Sequence, residues 1–124
     1  MTNLFERKKF ISNAGIPMDF KIDCDALTDE DIETLALIIS QRHSFSHVYS
    51  VPTGGDRLAA ALQQYCNTTG GVLIVDDVLT TGGSMERKYE EVAKLHPNDD
   101  IDGVVIFARG LCPIWVEAIF EMWY

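Results

Sequence analysis

Basic residues are scarce in this chain. Ten lysines and arginines stand against 19 aspartates and glutamates, a net charge of −9. Nonspecific nucleic-acid binding rests on basic patches, so this balance argues against it, and against anionic membrane surfaces as well. Long apolar runs are also missing, and with them any membrane-spanning stretch. The charged N-terminus, MTNLFERKKFISNAG, does not suit a signal-peptide core. Cysteine is sparse and odd in number: Cys24, Cys66 and Cys112 are widely spaced, with no Cys-x-x-Cys pair and no Cys/His cluster. That excludes a disulfide framework and points to reduced thiols in a cytoplasmic setting. His43, His47 and His96 are scattered without metal-ligand spacing. Internal repeats and low-complexity tracts are absent.

What is present fits one globular domain spanning residues 1–124, with 47% hydrophobic and 23% charged residues. Its centre is the stretch GVLIVDDVLTTGGS, Gly71 to Ser84. Val72 to Val75 has the length and branching of a buried strand. Two carboxylates follow, Asp76 and Asp77, then Thr80-Thr81-Gly82-Gly83-Ser84, then a helical segment from Met85 to Leu95. Glycines let successive backbone N–H groups converge on an anion, hydroxyls add donors, and a helix N-terminus contributes unpaired N–H groups and its dipole. A phosphate suits that arrangement. The carboxylates would repel it, but they can accept hydrogen bonds from sugar hydroxyls or help hold Mg²⁺. Chemistry alone therefore suggests a phosphorylated sugar.

The surrounding chain reads as an α/β alternation. Leu4 to Ile11 suggests a short amphipathic helix capped by Thr2 or Asn3, and Met18 to Cys24 alternates like a half-buried strand. Thr28 caps a helix whose acidic first turn, Asp29-Glu30-Asp31, suits the positive end of its dipole. His47 to Val51 is a strand, Pro52 to Gly55 a turn, and about Asp56 to Tyr65 a helix. Gly103 to Ala108 is a third apolar strand, ending at Arg109-Gly110. Pro113 suits a helix start, and Ile114 to Trp123 reads as an apolar helix or irregular cover, aromatic through Tyr124.

Val72 through Ser84 resembles the phosphoribosyl-pyrophosphate (PRPP) signature of the type I phosphoribosyltransferases. The resemblance implies their Rossmann-like α/β fold with a parallel sheet, here reduced, with the N-terminal helix and strand as a hood or edge cover. It implies that Thr80, Thr81, Gly82, Gly83 and Ser84 cradle a ribose 5′-phosphate. Asp76 and Asp77 then meet the ribose hydroxyls in the catalytic position, with a weak, ligand-mediated hold on Mg²⁺. Val51 to Ala59 is similar to the family's pyrophosphate loop, which implies Thr53, Gly54, Gly55 and Arg57 for that role, although Thr53 stands where the family often has Arg or Lys. Within the family the orotate phosphoribosyltransferases look closest. Ser12-Asn13-Ala14-Gly15 through Asp23 resembles their N-terminal Ser-Gly segment and aromatic strand, with Asn13 where they carry a lysine. Arg109 falls where they keep a base-contacting arginine.

One departure is large. In the family a further strand and a long mobile loop precede the PRPP strand, but here only about five residues join the helix ending near Tyr65 to Val72. Losing that strand leaves strand 47–51 at a sheet edge, which strand 18–24 or a second subunit would cover; a homodimer is expected. Three readings follow: a Mg²⁺- and PRPP-dependent transferase acting on a nucleobase of pyrimidine type; a non-catalytic PRPP or nucleotide sensor; or a structural α/β domain.

Overall fold

The structure is a computed structural model that describes residues 3–12 and 15–122. The expectations for Thr2, Asn13, Ala14, Trp123 and Tyr124 lie outside them. Two strands come first, β1 (Phe5–Ile11) and β2 (Pro17–Ile22), followed by a 3₁₀ turn at Cys24–Ala26. Then come α1 (Asp29–Arg42), β3 (Phe45–Ser50), α2 (Asp56–Leu62) with a 3₁₀ turn at Gln63–Tyr65, β4 (Gly71–Leu79), α3 (Gly83–Leu95), β5 (Ile101–Ala108) and β6 (Val116–Glu121). The order β3-β4-β5-β6 makes a four-stranded parallel sheet, and β1 and β2 form a separate antiparallel hairpin.

The apolar run in β4 is continuous because both faces of the sheet are covered. Leu73 and Val75 pack with Ile32, Ile39 and Leu62 of α1 and α2. Val72 and Ile74, one residue out of phase, pack with Met85 and Val92 of α3. Alternation along β5 does the same: Val104 and Ile106 join the first cluster, Val105 the second. Thr28 caps α1 as expected, its hydroxyl accepting from Asp31 N at 3.0 Å while the Asp31 carboxylate accepts from Thr28 N at 2.9 Å.

The expected N-terminal helix is a strand, and the C-terminal segment, expected as a helix or irregular cover, is an irregular strap followed by a strand. Most of the expected N-terminal helix is β1, whose alternation a β-bulge hides. Arg7 pairs with Phe20 and Phe10 with Met18, so Lys8 and Lys9 together oppose Asp19. The extra residue resets the parity, so Phe5 and Phe10, five apart, both sit opposite the inner series Met18, Phe20 and Ile22. At the other end, Pro113 starts no helix. Residues 109–115 run back as a strap to the start of β6, held by Gly103 N–H to Trp115 O at 2.9 Å. Trp115 lies where Gly103 leaves room, for a Cβ there would come 2.6 Å from its ring. Tyr89 packs on the same indole at 4.8 Å.

Strand β3 is at a sheet edge, as expected. The hairpin does not cover it. It folds over the end of β5 instead, with Phe5 against Phe107 at 6.0 Å, making it a hood rather than an edge strand. Among the described residues, no helix is long and apolar enough to cross a membrane.

Candidate functional site

A cavity of about 890 Å³ lies between the hairpin and the carboxyl ends of the sheet strands. In parallel α/β sheets, that end is where the strand-to-helix loops gather. Every segment singled out from the sequence contributes to it, though not every residue does.

The loop Thr80–Ser84 turns directly into α3. Gly82 precedes α3 with φ +88°, a left-handed conformation that glycine adopts without strain. No side chain caps the helix in the usual way; the hydroxyl of Thr81 takes only a long bond from Gly83 N at 3.4 Å. The first N–H groups of α3 are thus available to a ligand. Thr80, Thr81, Gly82, Gly83 and Ser84 all line the cavity. Ser84 is not the cap of α3 but lies in its first turn, its Oγ 3.2 Å from an Arg87 guanidinium nitrogen.

Asp76 and Asp77 lie inside β4 rather than beyond it. Successive strand residues face opposite sides, so Asp76 follows the parity of Ile74, toward α3, and Asp77 that of Val75, toward α1 and α2. Both still reach the cavity because β4 ends there. Asp76 is only 7% exposed, and its Oδ1 accepts from Asp77 N at 2.8 Å. Asp77 Oδ1 accepts from Val78 N at 2.7 Å. Burial first, then the neighbouring Asp77 carboxylate, pushes the Asp76 carboxyl up to about 8. Burial, with added repulsion from Asp77 and other carboxylates, raises the adjacent Cys24 thiol to about 12, so it is no thiolate nucleophile at neutral pH.

The second glycine loop abuts the acid pair. A Cβ on Gly54 would lie 2.5 Å from Cγ and both carboxylate oxygens of Asp77. Thr53 and Gly54 line the cavity. Gly55 does not; it lets α2 approach the sheet, since a Cβ there would meet Val75 O at 2.5 Å. Arg57 does not line the cavity either. Its guanidinium donates to Leu27 O at 2.9 Å and pairs with Asp29 at 3.1 Å, tying α2 to the loop before α1.

Arg109 follows β5, its N–H bonded to Leu79 O at 2.7 Å. The side chain is 2% exposed yet lines the cavity. Its guanidinium stacks over the Phe20 ring at 4.0 Å, and Nε and Nη2 have no partner among the described residues. Burial shifts this group down from its usual value. An unpaired, buried, planar donor set of this kind favours a planar acceptor from a ligand.

Sequence reasoning missed the hairpin's share. Lys8, Lys21 and Cys24 line the cavity, as does Arg87 of α3. The signal was the basic run ERKKF in an acidic chain. The histidines are less scattered than their spacing suggested: His47 and His96 rings lie 4.7 Å apart, and His96 bonds Tyr49 Oη at 2.7 Å and Asp99 at 3.1 Å. Among the described residues, no trio of His, Cys, Asp or Glu is placed to hold a metal.

No protein-family model matches the chain, and no curated protein matches its sequence. Solved structures do match. The orotate phosphoribosyltransferase of Aeropyrum pernix superposes with TM-score 0.72 at 20% identity, over 95% of this chain and 88% of that one. That of Mycobacterium tuberculosis, in complex with inorganic phosphate, gives 0.70 at 15% identity over 94% and 88%. The xanthine-guanine-hypoxanthine enzyme of Helicobacter pylori gives 0.56 at 14% identity over 74% and 89%. The chain therefore has the type I phosphoribosyltransferase fold. Among these three structures it is more like the two orotate enzymes than the purine one.

Proposed function

We propose that this protein binds PRPP and transfers its phosphoribosyl group to or from a nucleobase of pyrimidine type. One observation carries the reading: the open anion loop, the acid pair and the buried, unpaired Arg109 all face a single cavity. Thr80 to Ser84 hold the 5′-phosphate through backbone N–H groups and hydroxyls. Asp76 and Asp77 accept from the ribose 2′- and 3′-hydroxyls and fix the sugar. Thr53 and Gly54 flank the diphosphate, with Gly55 and Arg57 holding that loop in place from behind. Arg109, stacked on Phe20, orients the planar base. In transfer, the bond from C1′ to the diphosphate oxygen breaks with its electron pair leaving on pyrophosphate, and a base nitrogen forms the new bond to C1′, its N–H proton passing to water or to the released pyrophosphate.

Asp77, with Asp76 once it gives up its proton and no third His, Cys, Asp or Glu ligand among the described residues, fits Mg²⁺, which keeps waters and completes its shell with substrate oxygens. Bound with PRPP, that ion would neutralise charge on the leaving diphosphate. The open edge of β3 supports a homodimer, and the sparse, unpaired cysteines support a cytoplasmic location.

A second reading, a PRPP or nucleotide sensor without turnover, is favoured by the short link between Tyr65 and Gly71. Asn67 clamps it, accepting from Thr69 N at 3.1 Å and Gly70 N at 2.6 Å and donating to Ser44 at 2.8 Å. A link so short and so held supplies no covering loop for excluding water. One assay separates the readings. The protein is incubated with PRPP, Mg²⁺ and a panel of bases, and pyrophosphate is measured. Release with any base supports the transferase; PRPP binding without release supports the sensor. Absence of PRPP binding by calorimetry removes both and leaves the structural domain. Asp76→Asn with Asp77→Asn should weaken PRPP binding by about 10-fold or more, chiefly because the amide at position 77 is a weaker acceptor than a charged carboxylate; unchanged affinity would remove their sugar role.

A further inference from the structure

We propose that the β1–β2 hairpin supplies the cations that hold the diphosphate of the phosphoribosyl donor, through Lys8 and Lys21, with Arg87 of α3 on the same cavity. The inference rests on the ligand reading above and names residues which that reading does not contain.

The cavity needs positive charge that the glycine loops do not carry. Asp23, Asp25, Asp76 and Asp77 all line it, so an incoming polyanion meets carboxylates. Backbone N–H groups at α3 suffice for one phosphate, but the Thr53–Gly54 loop brings no cation, because Arg57 is bound to Leu27 O and Asp29. The chain has ten lysines and arginines, and four of them, Lys8, Lys21, Arg87 and Arg109, line this one cavity. None of these four forms an ion pair among the described residues; Arg42, Arg57 and Lys88 each do, and Arg7, Lys9 and Lys94, also without one, lie outside this cavity. In a chain of net charge −9, unpaired cations gathered at one opening mark where a polyanion binds.

The bulge in β1 selects between two adjacent lysines. Lys8 and Lys9 together oppose Asp19. Both border a second groove beside Phe5 and Phe20, but only Lys8 also reaches the main cavity. Bulges re-aim side chains next to sites in this way. Lys21 reaches the cavity from the partner strand. Arg109 is buried under Phe20 and suited to a planar group, which leaves the mobile ammonium groups and Arg87 for the diphosphate.

The test is calorimetry in Mg²⁺ buffer with two probes, ribose 5-phosphate and PRPP, on the wild type, Lys8→Met/Lys21→Met, Lys8→Arg/Lys21→Arg and Lys9→Met. The double methionine variant should bind PRPP about 10- to 100-fold more weakly, the scale of losing two charge-assisted contacts, and ribose 5-phosphate as the wild type does. The arginine variant should recover PRPP affinity, and Lys9→Met should match the wild type. Retained PRPP affinity in the methionine variant overturns the hairpin's role and leaves the ligand reading standing. Equal loss of both probes also overturns it, since the lysines would then act on the sugar phosphate or on folding. Failure of the wild type to bind either probe removes the ligand reading and this inference with it.

Discussion

Adding one methyl group at Gly54 tests whether the acid pair positions a sugar. In Gly54→Ala the new Cβ would sit 2.5 Å from Cγ, Oδ1 and Oδ2 of Asp77, all at once. Ordinary carbon contacts are about 3.5–4.0 Å, so one partner must move by about 1 Å. Asp77 resists, because its Oδ1 accepts from Val78 N at 2.7 Å. The loop resists as well, because Gly55 N donates to Val51 O at 3.0 Å. Overpacking of this kind costs about 1–3 kcal/mol of stability. If Asp77 yields, it leaves the ribose hydroxyls, and hydrogen bonds to a charged acceptor are worth about 1.5–3 kcal/mol each. Affinity for ribose 5-phosphate should therefore fall by about 10- to 150-fold, while inorganic phosphate, held by the α3 loop, should bind as before. Calorimetry measures both. The clash has one identified partner, so a double-mutant cycle isolates it: in an Asp77→Ala background, Gly54→Ala should cause little further loss of stability or affinity. A folded Gly54→Ala protein with wild-type affinity for ribose 5-phosphate would refute the reasoning, as would full additivity in the cycle.

Two other predictions use the same physics. The Asp76 carboxyl is raised from an ordinary 3.8 to about 8, so the folded state holds its proton where the unfolded state has lost it. Its contribution to stability is complete below pH 3.8 and declines as pH rises toward 8, by at most about 1.4 kcal/mol per pH unit. Asp76→Asn should flatten that slope in thermal melts of the free protein; a slope unchanged across pH 4–8 counts against the assignment. Gly103→Ala would place a methyl 2.6 Å from the Trp115 ring and 2.8 Å from Met85 Cε, loosening the strap under α3 at a cost of about 1–3 kcal/mol. Urea unfolding checks it, and an unchanged midpoint would show that the strap relaxes freely.

The legible parts of the site were those made of contiguous residues. The strand, acids, glycines and helix from Val72 to Leu95 lie next to one another in the chain, so their order already implied an anion loop at a helix N-terminus. Thr28 and its acidic turn were equally local. The misreadings share a cause. In β1 the bulge opposite Asp19 breaks the two-residue period, and a bulge is visible only once β2 is paired beside it. From Pro113 on, a proline and aromatics suited a helix or irregular cover, but Gly103 and Tyr89, from other elements, hold Trp115 in a turn that leads into β6. Arg57 looked available beside two glycines because its partners, Leu27 and Asp29, lie far back in the chain.

By itself, then, the order of residues determined the parallel α/β class, the glycine loop at the head of α3 and the acid pair beside it, because hydrophobic period, glycine freedom and helix-end chemistry act over a few neighbouring residues. Only the tertiary structure decided which cations face the cavity. It turned Arg57 to a structural tie, buried Arg109 unpaired beneath Phe20, and brought Lys8 and Lys21 over the cavity on a hairpin. Charge at a site is a matter of distance in space, and long basic side chains reach across elements that the sequence keeps apart.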